Sequence, residues 1–121
     1  MVRILPAIID LALVLVFAVV GRASHTEGLT VMGIAQTGWP FLAACVVGWI
    51  VVNLLDDSGY DPRSALVIWS VTVLGGMGLR IVAGETAELP FVIVATVFLF
   101  SAFFGWRLIA RLMRRRSAAT T

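Results

Sequence analysis

No lysine occurs in this chain, so its nine basic charges are all arginine, and cysteine, histidine and tyrosine each appear once. A single cysteine excludes an internal disulfide, and Cys45 lies inside an apolar run, where it reads as a small packing residue. A lone imidazole excludes a histidine-based zinc site, because His25 has none of the companion ligands that zinc requires. Charged residues make up only 13%, against roughly a quarter in soluble domains, which excludes an ordinary water-exposed surface. Also missing are a nucleophile–base pair, a glycine-rich phosphate loop and a pair of haem ligands. We therefore expect no enzymatic activity, no cofactor and no bound metal.

What is present is apolar: 60% hydrophobic residues and a mean hydropathy of +1.03. Four long apolar runs stand out, at residues 4–21, 39–55, 65–83 and 89–110. At ~1.5 Å per residue each is about as long as a hydrocarbon core of ~30 Å is thick. The expected fold is an all-α membrane protein of four transmembrane helices. Asp61 followed by Pro62 reads as an N-cap with proline at the first helical position, and Pro40 and Pro90 fall in the first turns of the second and fourth spans. The first connection has room for a short interfacial helix at residues 29–36. An N-terminal apolar stretch closing in "GRA" imitates a secretory signal, but Asp10 interrupts it and three further runs follow, so it is read as the first span.

Five of the nine arginines, Arg107, Arg111, Arg114, Arg115 and Arg116, crowd the last fifteen positions. With four spans and Arg3 at the other terminus, the positive-inside rule places both termini in the cytoplasm. Residues 1–112 form one domain, and 113–121 read as a basic, disordered cytoplasmic tail. That tail suits an anionic lipid surface; no nucleic-acid-binding motif accompanies it. The motifs "AACVVGW" and "SAFFGW" align Ala44, Gly48 and Trp49 with Ser101, Gly105 and Trp106, while Arg22 and Arg80 end the first and third spans. The pattern suggests two related hairpins, although small residues at such spacing also serve close helix packing without any duplication.

Taken together, a first span with an embedded Asp10 and a terminal "GRASH", then "GWPF", "WSVTVLGGMGLR", "LPFVIVATVFLF" and a closing "GWRL", resemble a family of small four-helix prokaryotic integral membrane proteins of unknown function. The resemblance covers nearly the whole chain and implies the four-helix fold. It carries no activity to transfer.

Two groups of residues remain as site candidates. Asp10 lies six residues inside the first span, where an aspartate costs on the order of 2.5–3.5 kcal/mol, so it needs a partner, a wet environment or a role as a proton or ligand site. Arg107 enters from the same boundary and is the favoured partner, with Asn53 and Thr72 as alternatives. Trp49, Trp69 and Trp106 lie in the same half, either as an aromatic belt or, with Asp10, Asn53, Thr72 and Arg107, around a cytoplasm-facing cavity. Trp69, Thr72, Gly76 and Arg80 share one helical face, expected to look into the bundle. At the other end Arg22, Arg80 and His25 form either a snorkelling helix-end set or a mouth for an anionic group, with Glu27, Glu85 and Glu88 as competing partners. Two functions fit: a small transporter or lipid-handling protein for a charged or amphipathic cargo, working as a homo-oligomer among membrane lipids, or a non-catalytic accessory subunit of a larger membrane complex.

Overall fold

A computed structural model describes residues 4–23 and 30–120. They form four helices, α1 (Ile4–Ala23), α2 (Val31–Leu54), α3 (Pro62–Val82) and α4 (Leu89–Thr120). All four are long and apolar enough to cross a membrane. Each packs on its neighbours in sequence and α4 closes the ring against α1, so the chain runs up and down around a single core. It is a multi-pass integral membrane protein. The outward faces carry exposed Ile8, Leu15, Val47, Ile50, Leu74, Ile93 and Val97, which suits contact with lipid chains and would be untenable in water.

The closest packing, between α2 and α3, follows from small residues. A Cβ on Gly48 would lie 3.3 Å from the Cα of Ile68, and one on Gly75 would lie 3.0 Å from the Cβ of Ala44. Gly76 leaves the space that the Phe41 ring fills. Phe41 in turn meets Phe17 edge to face at 5.1 Å, and Phe17 also touches Phe91 and Phe98 at 5.8 and 5.7 Å. With helices admitted this close, large rings from three of them fill the centre; Phe17, Phe41 and Phe103 are wholly buried.

Two boundaries depart from the sequence reading. The region expected to hold a separate interfacial helix is, over its described residues, the first turns of α2: Thr30 caps it, its hydroxyl accepting from the Gly33 N–H at 2.9 Å. Pro40 therefore lies inside α2 and is buried there. Membrane helices tolerate such a proline where neighbouring groups or a small local adjustment re-satisfy the freed carbonyl. At the other end α4 does not stop near Ala110 and dissolve into a disordered tail; it continues as helix to Thr120. Leu, Met, Ala and Arg are good helix formers, so a helix already nucleated in the bundle propagates through them. At 32 residues α4 is about 48 Å long, against about 30–36 Å for the other three. The start of α3 is as expected, with Asp61 Oδ1 accepting from the Ser64 N–H at 2.7 Å and Pro62 in the first turn.

Candidate functional site

The two candidate groups lie at opposite ends of the bundle. At the end of the α2–α3 turn, Asp10 is fully buried and meets four donors. Arg107 grips the carboxylate with two nitrogens, Nη1 to Oδ1 at 3.0 Å and Nη2 to Oδ2 at 2.8 Å. Trp106 Nε1 donates to Oδ1 at 2.8 Å and Trp49 Nε1 to Oδ2 at 3.0 Å. Each oxygen thus accepts two hydrogen bonds, which uses its ordinary capacity and leaves no lone pair free for another group. Arg107 is almost as fully engaged: Nε donates to Gly59 O at 2.9 Å, Nη1 also to Phe103 O at 3.0 Å, and the guanidinium lies 4.6 Å from the Trp106 ring centre. The fork shape of arginine makes the two-point grip possible; a lysine there would bring a point charge.

The expected Asp10–Arg107 pair is therefore present, direct and bidentate. The cavity expected around it is not formed by the residues assigned to it. Asp10 has no solvent exposure, so no cleft opens on it. Asn53 is exposed and folds back on its own helix, its Nδ2 donating to Trp49 O at 3.0 Å. Trp69 turns away to α4, where Nε1 donates to Thr96 O at 3.0 Å and its ring meets Phe100 edge to face at 5.3 Å. Thr72 is buried beside Cys45 and makes no bond to Asp10. None of these three donates to Asp10. The shared face on α3 is real: Thr72, Gly76 and Arg80 are buried and Trp69 half-buried.

Gly59 is the member of this site that the sequence did not single out. Its φ of +91° is a left-handed conformation natural to glycine, its carbonyl takes the Arg107 Nε–H, and its N–H donates to the Ser64 hydroxyl at 3.1 Å. The Trp49 ring lies where a Cβ would stand. The turn "DSGYD" signals a glycine-dependent bend, but nothing local reveals that an arginine 48 residues away depends on it. Tyr60, next in the turn, packs edge to face on Trp106 at 5.8 Å.

At the end of the α3–α4 turn, Arg22 and Arg80 line one cleft of about 280 Å³ together with Gln36, Thr37, Glu85 and Phe91. Arg80 is 8% exposed. Its Nε donates to Thr86 O at 2.6 Å and its guanidinium lies 4.5 Å from the centre of the Phe91 ring. No carboxylate among the described residues pairs with it. Glu85 and Glu88 sit exposed on the same cleft. His25 and Glu27 lie outside the described residues. Among the described residues, no three histidine, cysteine, aspartate or glutamate side chains converge to hold a metal.

The chain matches the model of a family described as "Protein of unknown function (DUF3054)" over residues 7–110. It belongs to that family. Both ends of the Asp10–Arg107 grip, Gly59, Arg22 and Arg80 lie within the part that defines membership of DUF3054. Neither a curated protein nor a solved structure matches the chain.

Proposed function

We propose that this DUF3054 protein binds a small anionic or amphipathic molecule in the cleft of Arg22 and Arg80, and transports or otherwise handles it in the membrane. Arg80 carries the reading: an arginine more than nine-tenths buried as a residue, lining a cleft, with no carboxylate among the described residues to neutralise it. Burial of an unneutralised charge is costly, and an incoming anion would relieve it. Phe91 offers an apolar floor beside the charge, and Glu85 and Glu88 suit an amine on the same cargo. Because Phe17, Phe41 and Phe103 fill the centre of the protomer, passage from one side to the other calls for more than one copy, and a homo-oligomer is the working unit of this reading. Under the positive-inside rule the cleft faces away from the cytoplasm.

The alternative, an accessory subunit, draws support from the open apolar face of α4, where Ile93, Val94 and Val97 are exposed. Native mass measurement of gently extracted protein separates the two. A self-contained oligomer retaining a small anionic molecule supports the first, whereas a fixed ratio with a different protein supports the second. Arg80→Ala and Arg22→Ala should each abolish retention of that molecule with nearly unchanged folded yield. Equal loss of folded protein would make the arginines helix-end anchors only. In a Cys45→Ser background, an external thiol reagent should label Thr30→Cys and spare Ser58→Cys; the reverse overturns the orientation.

A further inference from the structure

At the opposite end from the Arg80 cleft, two smaller clefts open side by side between α4 and the start of α3. The first, of about 230 Å³, has apolar walls of Pro62, Ala65, Phe104 and Leu108. The second, of about 190 Å³, has mixed polar and apolar walls and is bounded by Ser58, Asp61, Ala110 and Arg114. Tyr60, Arg107 and Arg111 line both, so an apolar slot passes directly into one where three arginines face a single acid. Arg107, Arg111 and Arg114 follow at i, i+4 and i+7 on one face of α4, and the face persists because the helix continues to Thr120. Arg107 is spent on Asp10, whereas Arg111 has no partner among the described residues and Arg114 only stacks 4.6 Å over the Tyr60 ring. The Tyr60 hydroxyl makes no hydrogen bond among the described residues, and the one acid lining the second cleft, Asp61, has its Oδ1 engaged in capping α3.

We propose that these clefts form one site for an anionic phospholipid, with an acyl chain along Pro62, Ala65, Phe104 and Leu108 and the phosphate between Arg111, Arg114 and the Tyr60 hydroxyl. The order of polarity along the groove matches that of a lipid, and the first residues of α3 place the change from apolar to basic at the end of a membrane span. Two exposed arginines with no acidic partner among the described residues supply the charge complement, and a tyrosine with an apolar body and polar tip suits the headgroup boundary. Arg115 and Arg116 line neither cleft, so the site differs from a general basic tail. This lipid site stands apart from the Arg80 cleft and from any cargo there.

The test is titration of the purified full-length protein in detergent with dioleoyl phosphatidylglycerol or dioleoyl phosphatidylcholine, read by native mass spectrometry. One phosphatidylglycerol should bind in preference to phosphatidylcholine. Arg111→Ala/Arg114→Ala, both on the surface, should weaken it about thirtyfold, the worth of two arginines at an anionic surface. Arg115→Ala/Arg116→Ala should leave it nearly unchanged, and glycerol phosphate, a head group without chains, should not displace it. Equal binding of the two lipids, equal effects of the two double variants, displacement by glycerol phosphate, or an acidic protein held at Arg111 and Arg114 in place of lipid would each overturn the proposal.

Discussion

Arg80 and Arg107 are buried almost alike, at 8% and 5% exposure, and stand at opposite ends of the same bundle, yet their guanidinium groups end in different company. Arg107 meets a carboxylate at two points and two backbone carbonyls besides, while Arg80 has one carbonyl and the face of a phenylalanine. Burial alone therefore says little about what a charged group in a membrane protein is for. Saturation says more. A group whose every valence is answered by its own chain is tied to holding that chain together, and one left open at a cleft is available to something else.

That contrast breaks first, if it breaks, at Asp10 and Arg107. Asp10→Ala and Arg107→Ala each strand a buried charge and should destabilise the protein by about 3–5 kcal/mol. Asp10→Ala/Arg107→Leu removes both charges and should regain much of the loss in reversible unfolding from mixed micelles. If the double variant is no better than the singles, the pair is not the unit described above. Gly59→Ala comes next, at about 1–3 kcal/mol, since it forces a left-handed alanine and displaces the Trp49 ring. Its tryptophan emission should shift as Trp49 loses its place against Asp10, and an unshifted spectrum with full stability would remove Gly59 from the site. Arg80→Ala should cost only about 1–2 kcal/mol, the worth of one hydrogen bond and one ring contact. A loss as large as that of Arg107→Ala would erase the distinction between the two arginines.

The smallest effect lies at Asp61. Burial pushes its carboxyl pKa up, but the Ser64 N–H and hydroxyl, helped by Arg63 and Arg107, outweigh that and hold it below its ordinary value of 3.8. A carboxyl depressed in the fold contributes stability above its unfolded pKa and loses it as pH falls through the folded one. Asp61→Asn remains a cap without the charge, so the advantage of the native residue over it should be present at neutral pH and shrink below about pH 4. A constant difference across that range would show that the charge at this cap adds nothing.

The sequence made the four spans legible because hydropathy over twenty residues is a local property, and it made the Asp10–Arg107 pair legible because both depths could be counted from one boundary. Asn53 is grouped with Asp10 by depth, and Trp69 and Thr72 by depth and a shared inward face; neither criterion says which neighbour a side chain meets, and Asn53 faces outward while Trp69 reaches α4. The aligned Gly-Trp motifs turned out to converge, Trp49 and Trp106 taking one oxygen each of the same carboxylate. Gly105, however, has nothing near its absent side chain where Gly48 is tightly packed. The extension of α4 was missed because a run of arginines reads as solvated, although helix propensity does not end where hydrophobicity does. Gly59 was hidden for a different reason, since its importance depends on Trp49 and Arg107, which only the fold brings to it.

The Asp10–Arg107 grip also sets an order of events, for its two halves are 97 residues apart. Helices entering a membrane in sequence would leave the aspartate of α1 with only the Trp49 indole of α2 to answer it until the fourth arrives with the neutralising arginine. The charge on Asp10 has no cation from α2 or α3 among its partners, so the first helix stays unneutralised until the last is in place. A chain stopped before α4 would carry an unneutralised charge in its membrane part, a mark by which incomplete molecules differ chemically from complete ones. The same bond that closes the ring thus serves as a record that the whole of it was made.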